Sequence, residues 1–238
     1  MKKNMKYTII IPSLNPNNKL LELVCELIDN GFKDIIVIND GSSSEYDNIF
    51  DELPKSIKVI KNDINLGKGA SIKKAILTIK NSDAFITVDS DGQHLVKDVI
   101  KIKEELNNND IVLGVRNFNN KNVPIKSKIG NKISSFVFKI KTGIKLNDTQ
   151  TGLRGINIKY KDLLLSTKGD RYEYEMNFLY NVAKSNIQIH TIPISTVYNK
   201  DNISHFNVIR DSILIHKWII FILIIILLIL LIIFMPMI

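Results

Sequence analysis

Cysteine is nearly absent from this chain. Cys25 is the only one in 238 residues, so no internal disulfide can staple the fold, and its plain reading is a small core residue. An export signal is missing as well. After MKKNMK the apolar run is only Tyr7 to Ile11 before Pro12 ends it, too short for the hydrophobic region of a signal peptide. No G-x-G-x-x-G follows that first run, and Gly67-Lys68-Gly69 lacks the spacing of a P-loop, which excludes two familiar phosphate cradles. Those glycines read instead as permitting a turn into a helix over 70–80. Acidic residues are missing from one whole segment: between Arg116 and Asp148 there are seven lysines and no Asp or Glu. A nucleic-acid module is excluded because no aromatic interleaving accompanies those lysines. Anionic lipid or a phosphorylated substrate remains as the partner for the basic block.

What is present is unevenly spread. The net charge is +8, from 32 basic and 24 acidic residues. Yet Trp218 to Met235, 18 residues, carries no charge at all. At about 1.5 Å per residue such a helix reaches roughly 27 Å, close to the hydrocarbon thickness of a bilayer. The expected organisation is a catalytic domain over 1–202, a juxtamembrane amphipathic helix over 203–217 and a transmembrane helix over 218–238. His216 and Lys217 precede the apolar run and nothing charged follows it, which orients the body to the cytoplasm by the positive-inside rule.

Apolar runs at 7–11, 34–38, 57–60, 84–88 and 110–115 read as strands. Leu20, Leu21, Val24, Leu27 and Ile28 fall at helical spacing, as do Ile72, Ala75, Ile76 and Ile79. Apolar strands separated by helices imply a mostly parallel sheet covered on both faces, an α/β fold of Rossmann-like character. A helical stripe of Ile125, Ile129, Ile133, Phe136, Val137 and Ile140 follows, then a loop NDTQTGLRG over 147–155. Another helix is expected over 174–183 and a last strand over 187–194.

Three strands end in compact polar groups: Pro12 to Asn15, Asn39 to Ser42 and Asp89 to Gln93. Ligands of open parallel sheets bind at the carboxyl ends of the strands. Asp89 and Asp91 are two apart, so in extended backbone both carboxylates face one side and can share a cation, with Gln93 adding an oxygen. Glu173 and Glu175 read as charge compensation at a helix N-terminus.

The run IIIPSLNP, VINDGS, NLGKGAS, VDSDGQH, GVR and NDTQTGLRG resembles family 2 of the glycosyltransferases, over about residues 6–206. It is most similar to the enzymes that glycosylate dolichyl and polyprenyl phosphates. The resemblance implies a GT-A fold, a nucleotide-sugar donor, a polyprenyl-phosphate acceptor and a divalent Mg2+ or Mn2+ ion. Residue by residue, it implies that Pro12, Leu14, Ile38, Asp40, Asp89, Ser90, Asp91 and Arg116 lie against the nucleotide-sugar. Asp89, Asp91 and Gln93 match the metal site, and Arg116 a cation beside the reacting phosphates. Arg116, Lys128 and Arg154 match the acceptor-phosphate side. Asp148 matches an acceptor-side motif and, with Asp91 and Arg116, completes the catalytic set; it is read as acceptor-side or structural in preference to a base. Leu14-Asn15-Pro16 departs from the Tyr-Asn-Glu common in relatives, and the lysine that closes over the donor in some relatives has no counterpart near 202–205. A protein, glycan or diacylglycerol acceptor, or a non-catalytic nucleotide-sugar sensor, are the alternative readings.

Overall fold

The computed structural model describes residues 5–120 and 123–197. Contacts divide the chain into Met1–His205 and Phe206–Ile238, and every described residue belongs to the first unit. Seven strands make one sheet: β1 (Tyr7–Ser13), β2 (Asp34–Asp40), β3 (Lys58–Asn62), β4 (Ala84–Thr87), β5 (Ile111–Val115), β6 (Arg154–Asn157) and β7 (His190–Pro193). Their spatial order is β3-β2-β1-β4-β6-β5-β7. The β-branched, apolar sequences of β1, β2 and β4 suit strands covered on both faces. Ile9, Ile10, Ile11, Phe85 and Ile86 are all fully buried.

Strands β1, β2, β3 and β4 run parallel, as do β5 and β7. Strand β6 is the exception. It lies antiparallel between β4 and β5, with Thr87 opposite Arg154 and Leu113 opposite the same residue. The sequence reading placed Arg154 and Gly155 in a loop, because RGIN offers neither a long apolar run nor alternation. Pairing on both sides makes it a strand. Its consequence for function is direct, since it brings the 147–153 segment to the carboxyl ends of β4 and β5.

The helices are α1 (Lys19–Asp29), α2 (Asp47–Asp51), α3 (Lys68–Thr78), α4 (Val96–Glu105), α5 (Ile125–Thr142), α6 (Lys161–Ser166) and α7 (Glu173–Lys184). Helix α1 buries Leu20, Leu23, Val24 and Leu27. Cys25 falls on the opposite side and is exposed, so it is a surface thiol rather than the core residue expected. Helix α4 adds a buried face of Val96, Val99 and Ile102 under the sheet.

The stripe on α5 is the largest departure. Of its six apolar residues only Val137 is buried, while Ile125, Ile129, Ile133, Phe136 and Ile140 are between 51% and 73% exposed. The face turned inward holds Asn131, Ser134, Val137 and Phe138. Among the described residues, no helix is long and apolar enough to cross a membrane. The expected amphipathic segment 203–217 and the span 218–238 lie outside the described residues.

Candidate active site

The carboxyl ends of β1, β2, β4 and β5 face the same crevice, as the parallel order requires. At the end of β2, Asp40 is buried and turned back into the protein. One carboxylate oxygen accepts from Asn62 Nδ2 at 2.8 Å and the Leu66 N–H at 3.0 Å, the other from the Gly67 N–H at 2.9 Å. It therefore ties the segment after β3 to the end of β2. Gly41 makes this approach possible: a Cβ there, at φ +70°, would lie 2.2 Å from the Ile64 carbonyl carbon. Ile38 is wholly buried in the sheet. Both were expected against the nucleotide-sugar; the Ile38 side chain is core, and Asp40 anchors the segment after β3 through three protein donors. Pro12 is buried at the end of β1 and Leu14 half-buried just beyond it. Ser13 Oγ donates to Ser90 Oγ at 3.1 Å, which joins the end of β1 to the Asp-Ser-Asp turn.

Strand β4 stops at Thr87, and the chain turns at Ser90 and Asp91. Asp89 and Asp91 are thus not neighbours on one face of a strand, as the extended-backbone argument supposed. They still interact. Burial, and then the negative charge of Asp89, push the Asp91 carboxyl up to about 6. The Gln93 N–H donates to Asp91 Oδ1 at 3.0 Å.

Asp89 has found a cation within the protein. Lys68 Nζ, at the first turn of α3, sits 2.6 Å from Asp89 Oδ1 and 3.1 Å from a Glu175 oxygen. Burial alone would raise the Asp89 carboxyl, but Lys68 and then His94 hold it well below the usual carboxylate range. Burial would likewise lower the Lys68 ammonium, and Asp89 and Glu175 override it upward. His94 is buried; its Nδ1 accepts the Asp89 N–H at 3.1 Å, and desolvation lowers it to about 4, so the ring is neutral near pH 7. Gly152 supplies the space for Asp89, since a Cβ there would fall 2.2 Å from Asp89 Oδ2.

Among the described residues, no group of three His, Cys, Asp or Glu side chains is arranged to hold a metal. The donor chemistry nevertheless fits a hard divalent cation that takes one or two carboxylates and completes its shell with water and substrate phosphate. Asp91 is the carboxylate short of positive charge, and a cation beside it would relieve the repulsion from Asp89. Gln93 acts on Asp91 through its backbone N–H.

On the other side of the crevice, Arg116 follows β5 and meets Asp148 in a two-point ion pair. Its Nε is 2.7 Å from Oδ2 and its Nη2 3.1 Å from Oδ1. Asp148 is fully buried, and its Oδ1 also accepts the Gln150 N–H at 3.1 Å. Both oxygens are therefore committed, which suits a carboxylate that aims Arg116. The Arg116 charge reaches the turn, for it acts to lower both Asp89 and Asp91.

Arg154 is 3% exposed, and its guanidinium donates to the carbonyls of Thr151, Glu175 and Thr149 at 2.8, 2.7 and 3.2 Å. This corrects its assignment to the acceptor phosphate: the donors are spent on shaping the 149–151 loop. Lys128 is half-buried on α5. Two participants went unread in the sequence, His94 and the ion pair of Lys68 with Glu175. Glu173 stands at the first turn of α7 and accepts the N–H groups of Asp170 and Arg171 just before the helix. Glu175, expected to compensate the same helix end, is buried against Lys68. The signal for Lys68 was its place between two glycines at a helix start; its partners are 21 and 107 residues away, beyond any local pattern.

With this arrangement in view, the comparisons with known proteins decide the family. The family model for glycosyl transferase family 2 matches residues 8–163. The chain belongs to that family. It is 29% identical over 217 residues to the UDP-N-acetylglucosamine--dolichyl-phosphate N-acetylglucosaminyltransferase of Methanococcus voltae, covering 81% of this chain and 86% of that one. It is 24% identical over 209 residues to glycosyltransferase AglJ of Haloferax volcanii, covering 85% and 67%. Among solved structures, glucosyl-3-phosphoglycerate synthase from Mycobacterium tuberculosis, in complex with Mn2+, UDP and glucosyl-3-phosphoglycerate, superposes with a TM-score of 0.66 at 13% identity. The match covers 91% of this chain and 78% of that one. The fold of this family 2 member is accordingly GT-A, and the chain is a glycosyltransferase.

Proposed function

We propose that this glycosyltransferase moves the sugar of a UDP- or GDP-linked donor onto a polyprenyl or dolichyl phosphate, with inversion, at the cytoplasmic face of a membrane. The observation that carries the reading is the Arg116–Asp148 pair facing the Asp89–Asp91 turn. A guanidinium held at two points by a buried carboxylate is a fixed cation, suited to phosphate oxygens that gain charge as a bond breaks. The similarity to a dolichyl-phosphate N-acetylglucosaminyltransferase supports the acceptor class.

The chemistry follows from charge. A lipid monophosphate has its second pKa near about 6 and is already an anion at neutral pH. It needs to be held beside the anomeric carbon more than it needs a base, which agrees with an Asp148 whose oxygens are both engaged. The phosphate oxygen attacks from the face opposite the nucleotide, the glycosidic bond to the donor phosphate breaks, and the nucleoside diphosphate departs with the electron pair. Arg116 stabilises that departing charge. Asp91, with Asp89 beside it, would hold a magnesium or manganese ion, which when bound supplies positive charge to the diphosphate. Lys68 keeps Asp89 ionised and fixed, and His94 holds the turn through the Asp89 N–H.

The test is incubation of the detergent-solubilised full chain with UDP- and GDP-linked sugars and undecaprenyl or dolichyl phosphate, with mass detection of the product. Glycosyl-phosphoryl lipid is the expected product. Transfer to diacylglycerol, peptide or free glycan, with none to lipid phosphate, would overturn the acceptor class.

A further inference from the structure

At about 100° per residue, Ile125, Ile129, Ile133, Phe136 and Ile140 fall within an arc of about 80° on α5. All five are more than half exposed. Of the residues that α5 does bury, Asn131, Ser134 and Phe138 lie on the far side of the helix and Val137 beside the stripe's edge. This inverts the usual surface helix, which turns its apolar stripe to the core. The borders of the exposed stripe are basic: Lys128, Lys132 and Lys139 flank one side and Lys126 the other. Residues 117–147 hold seven lysines and no acidic residue, a segment charge of +7.

The inward face is pinned, so the outward face cannot roll away from solvent. Asn131 Nδ2 donates to the Asn147 carbonyl at 2.7 Å, and Gln150 Nε2 donates to Ser134 Oγ at 3.2 Å. Phe138 stacks on Tyr180 of α7 with ring centroids 5.4 Å apart. The same loop carries Asp148, and α5 is reached from β5 through Arg116. Both ends of the excursion therefore return to the Arg116–Asp148 pair.

We infer that the outer face of α5 lies in the headgroup region of an anionic bilayer, with its isoleucines and Phe136 at the acyl boundary. An apolar stripe bordered by lysines is the pattern of a helix lying in the membrane plane, where it sits about 5–10 Å deep. The lysine stems extend the apolar surface while their ammonium groups meet lipid phosphates. The charge complementarity is one-sided, since nothing acidic on the segment would repel the surface. The purpose of this contact, to bring Arg116 to the plane of the acceptor's phosphate, rests on the proposed lipid acceptor. The contact itself does not.

The test uses the full chain reconstituted in vesicles of phosphatidylcholine with a minority of phosphatidylglycerol. A polarity-sensitive fluorophore is placed at Ile133→Cys or Phe136→Cys in a Cys25→Ser background. The native chain labelled at Cys25, exposed on α1, is the aqueous reference. Labels at 133 and 136 should be several-fold less open to iodide than the label at 25, and should be quenched by lipids brominated on their acyl chains. Equal iodide access at 133 and 25 overturns the inference. So does shielding from iodide without quenching by brominated lipid, the result expected if a second copy or the chain's own C-terminal segment covers the face. An Ile129→Ser, Ile133→Ser double variant, altered only at exposed positions, should keep nucleotide binding and lose about tenfold in kcat/KM for vesicle-borne lipid phosphate. If no lipid phosphate is ever glycosylated, the quenching pattern still decides the α5 contact separately from the acceptor.

Discussion

Lys68 and Asp89 face each other across the crevice with Nζ 2.6 Å from Oδ1, and Glu175 completes a second pair with the same ammonium. The Asp89 carboxylate is therefore neutralised by the protein itself. Removing Lys68 would leave two buried carboxylates without their cation. Breaking a buried pair from one side costs about 3–5 kcal/mol in general; here Asp89 retains some access to water while Glu175 does not, so Lys68→Met should cost toward the lower end. The sign with pH is fixed by Asp89, whose folded pKa is depressed. Its contribution is present above the unfolded carboxylate range and fades as pH falls through that range. That loss lies below pH 4, so thermal melts at pH 7 and pH 2.5 should differ less in Lys68→Met than in wild type, and an unaltered pH dependence would refute the pairing.

Asp91 carries the opposite strain. Burial and Asp89 push it up to about 6, so its folded pKa lies above the unfolded value. Ionised Asp91 destabilises the metal-free fold above pH 6, and that cost is relieved as pH falls from about 6 to the unfolded carboxylate range. Asp91→Asn should therefore raise the melting temperature at pH 7.5 in EDTA by a few degrees while leaving it unchanged at pH 4. The same variant should lower turnover by a factor of about 10² or more, as expected for losing a leading charge-stabilising group. A melting temperature that does not rise would show Asp91 to be comfortably solvated, and full turnover in excess EDTA would remove the metal.

Arg116 and Asp148 should behave as one unit. Because the carboxylate aims the guanidinium, Asp148→Asn should reduce kcat through Arg116, and the double variant with Arg116→Ala should be little worse than Arg116→Ala alone. A general base would give another signature: loss of the acidic limb of the pH–rate profile in Asp148→Asn, with losses that multiply. Initial rates of the four proteins across pH 5 to 9 separate the two.

Much of this arrangement was legible beforehand for a physical reason. The strands β1, β2 and β4 are covered on both faces, so apolar runs broken by Pro12, Asn39 and Asp89 mark their carboxyl ends. What escaped was set by distance along the chain. Strand β6 is four polar-to-mixed residues whose identity comes from pairing with β4 and β5 on either side. Arg154 looks like any loop arginine until its three carbonyl partners are assembled around it. The α5 stripe was found, but periodicity reports that a face is apolar and not which way it turns. Asn131 and Ser134, the polar residues that α5 turns inward to the 147–150 loop, decide that.

Lys128 and Arg154 were matched to the same acceptor phosphate, and the structure separates them. Arg154 is buried with its donors on backbone carbonyls, whereas Lys128 stands on the lysine border of α5, half-buried and able to reach a headgroup. A charge-assisted hydrogen bond to phosphate is worth about 1.5–3 kcal/mol. Lys128→Ala should accordingly raise KM for lipid phosphate by roughly 10- to 100-fold with kcat, donor affinity and melting temperature close to wild type. Arg154→Ala strands three buried carbonyls and should lower the melting temperature by several degrees, at about 1–3 kcal/mol per orphaned group. Its kinetic loss should fall on kcat, since the loop it shapes carries Asp148 and hence Arg116. Initial rates against lipid phosphate at saturating donor, read beside thermal melts, distinguish the two residues. A lipid dependence unchanged in Lys128→Ala would take that residue out of the acceptor site, and a KM effect in Arg154→Ala without loss of stability would return the arginine to it.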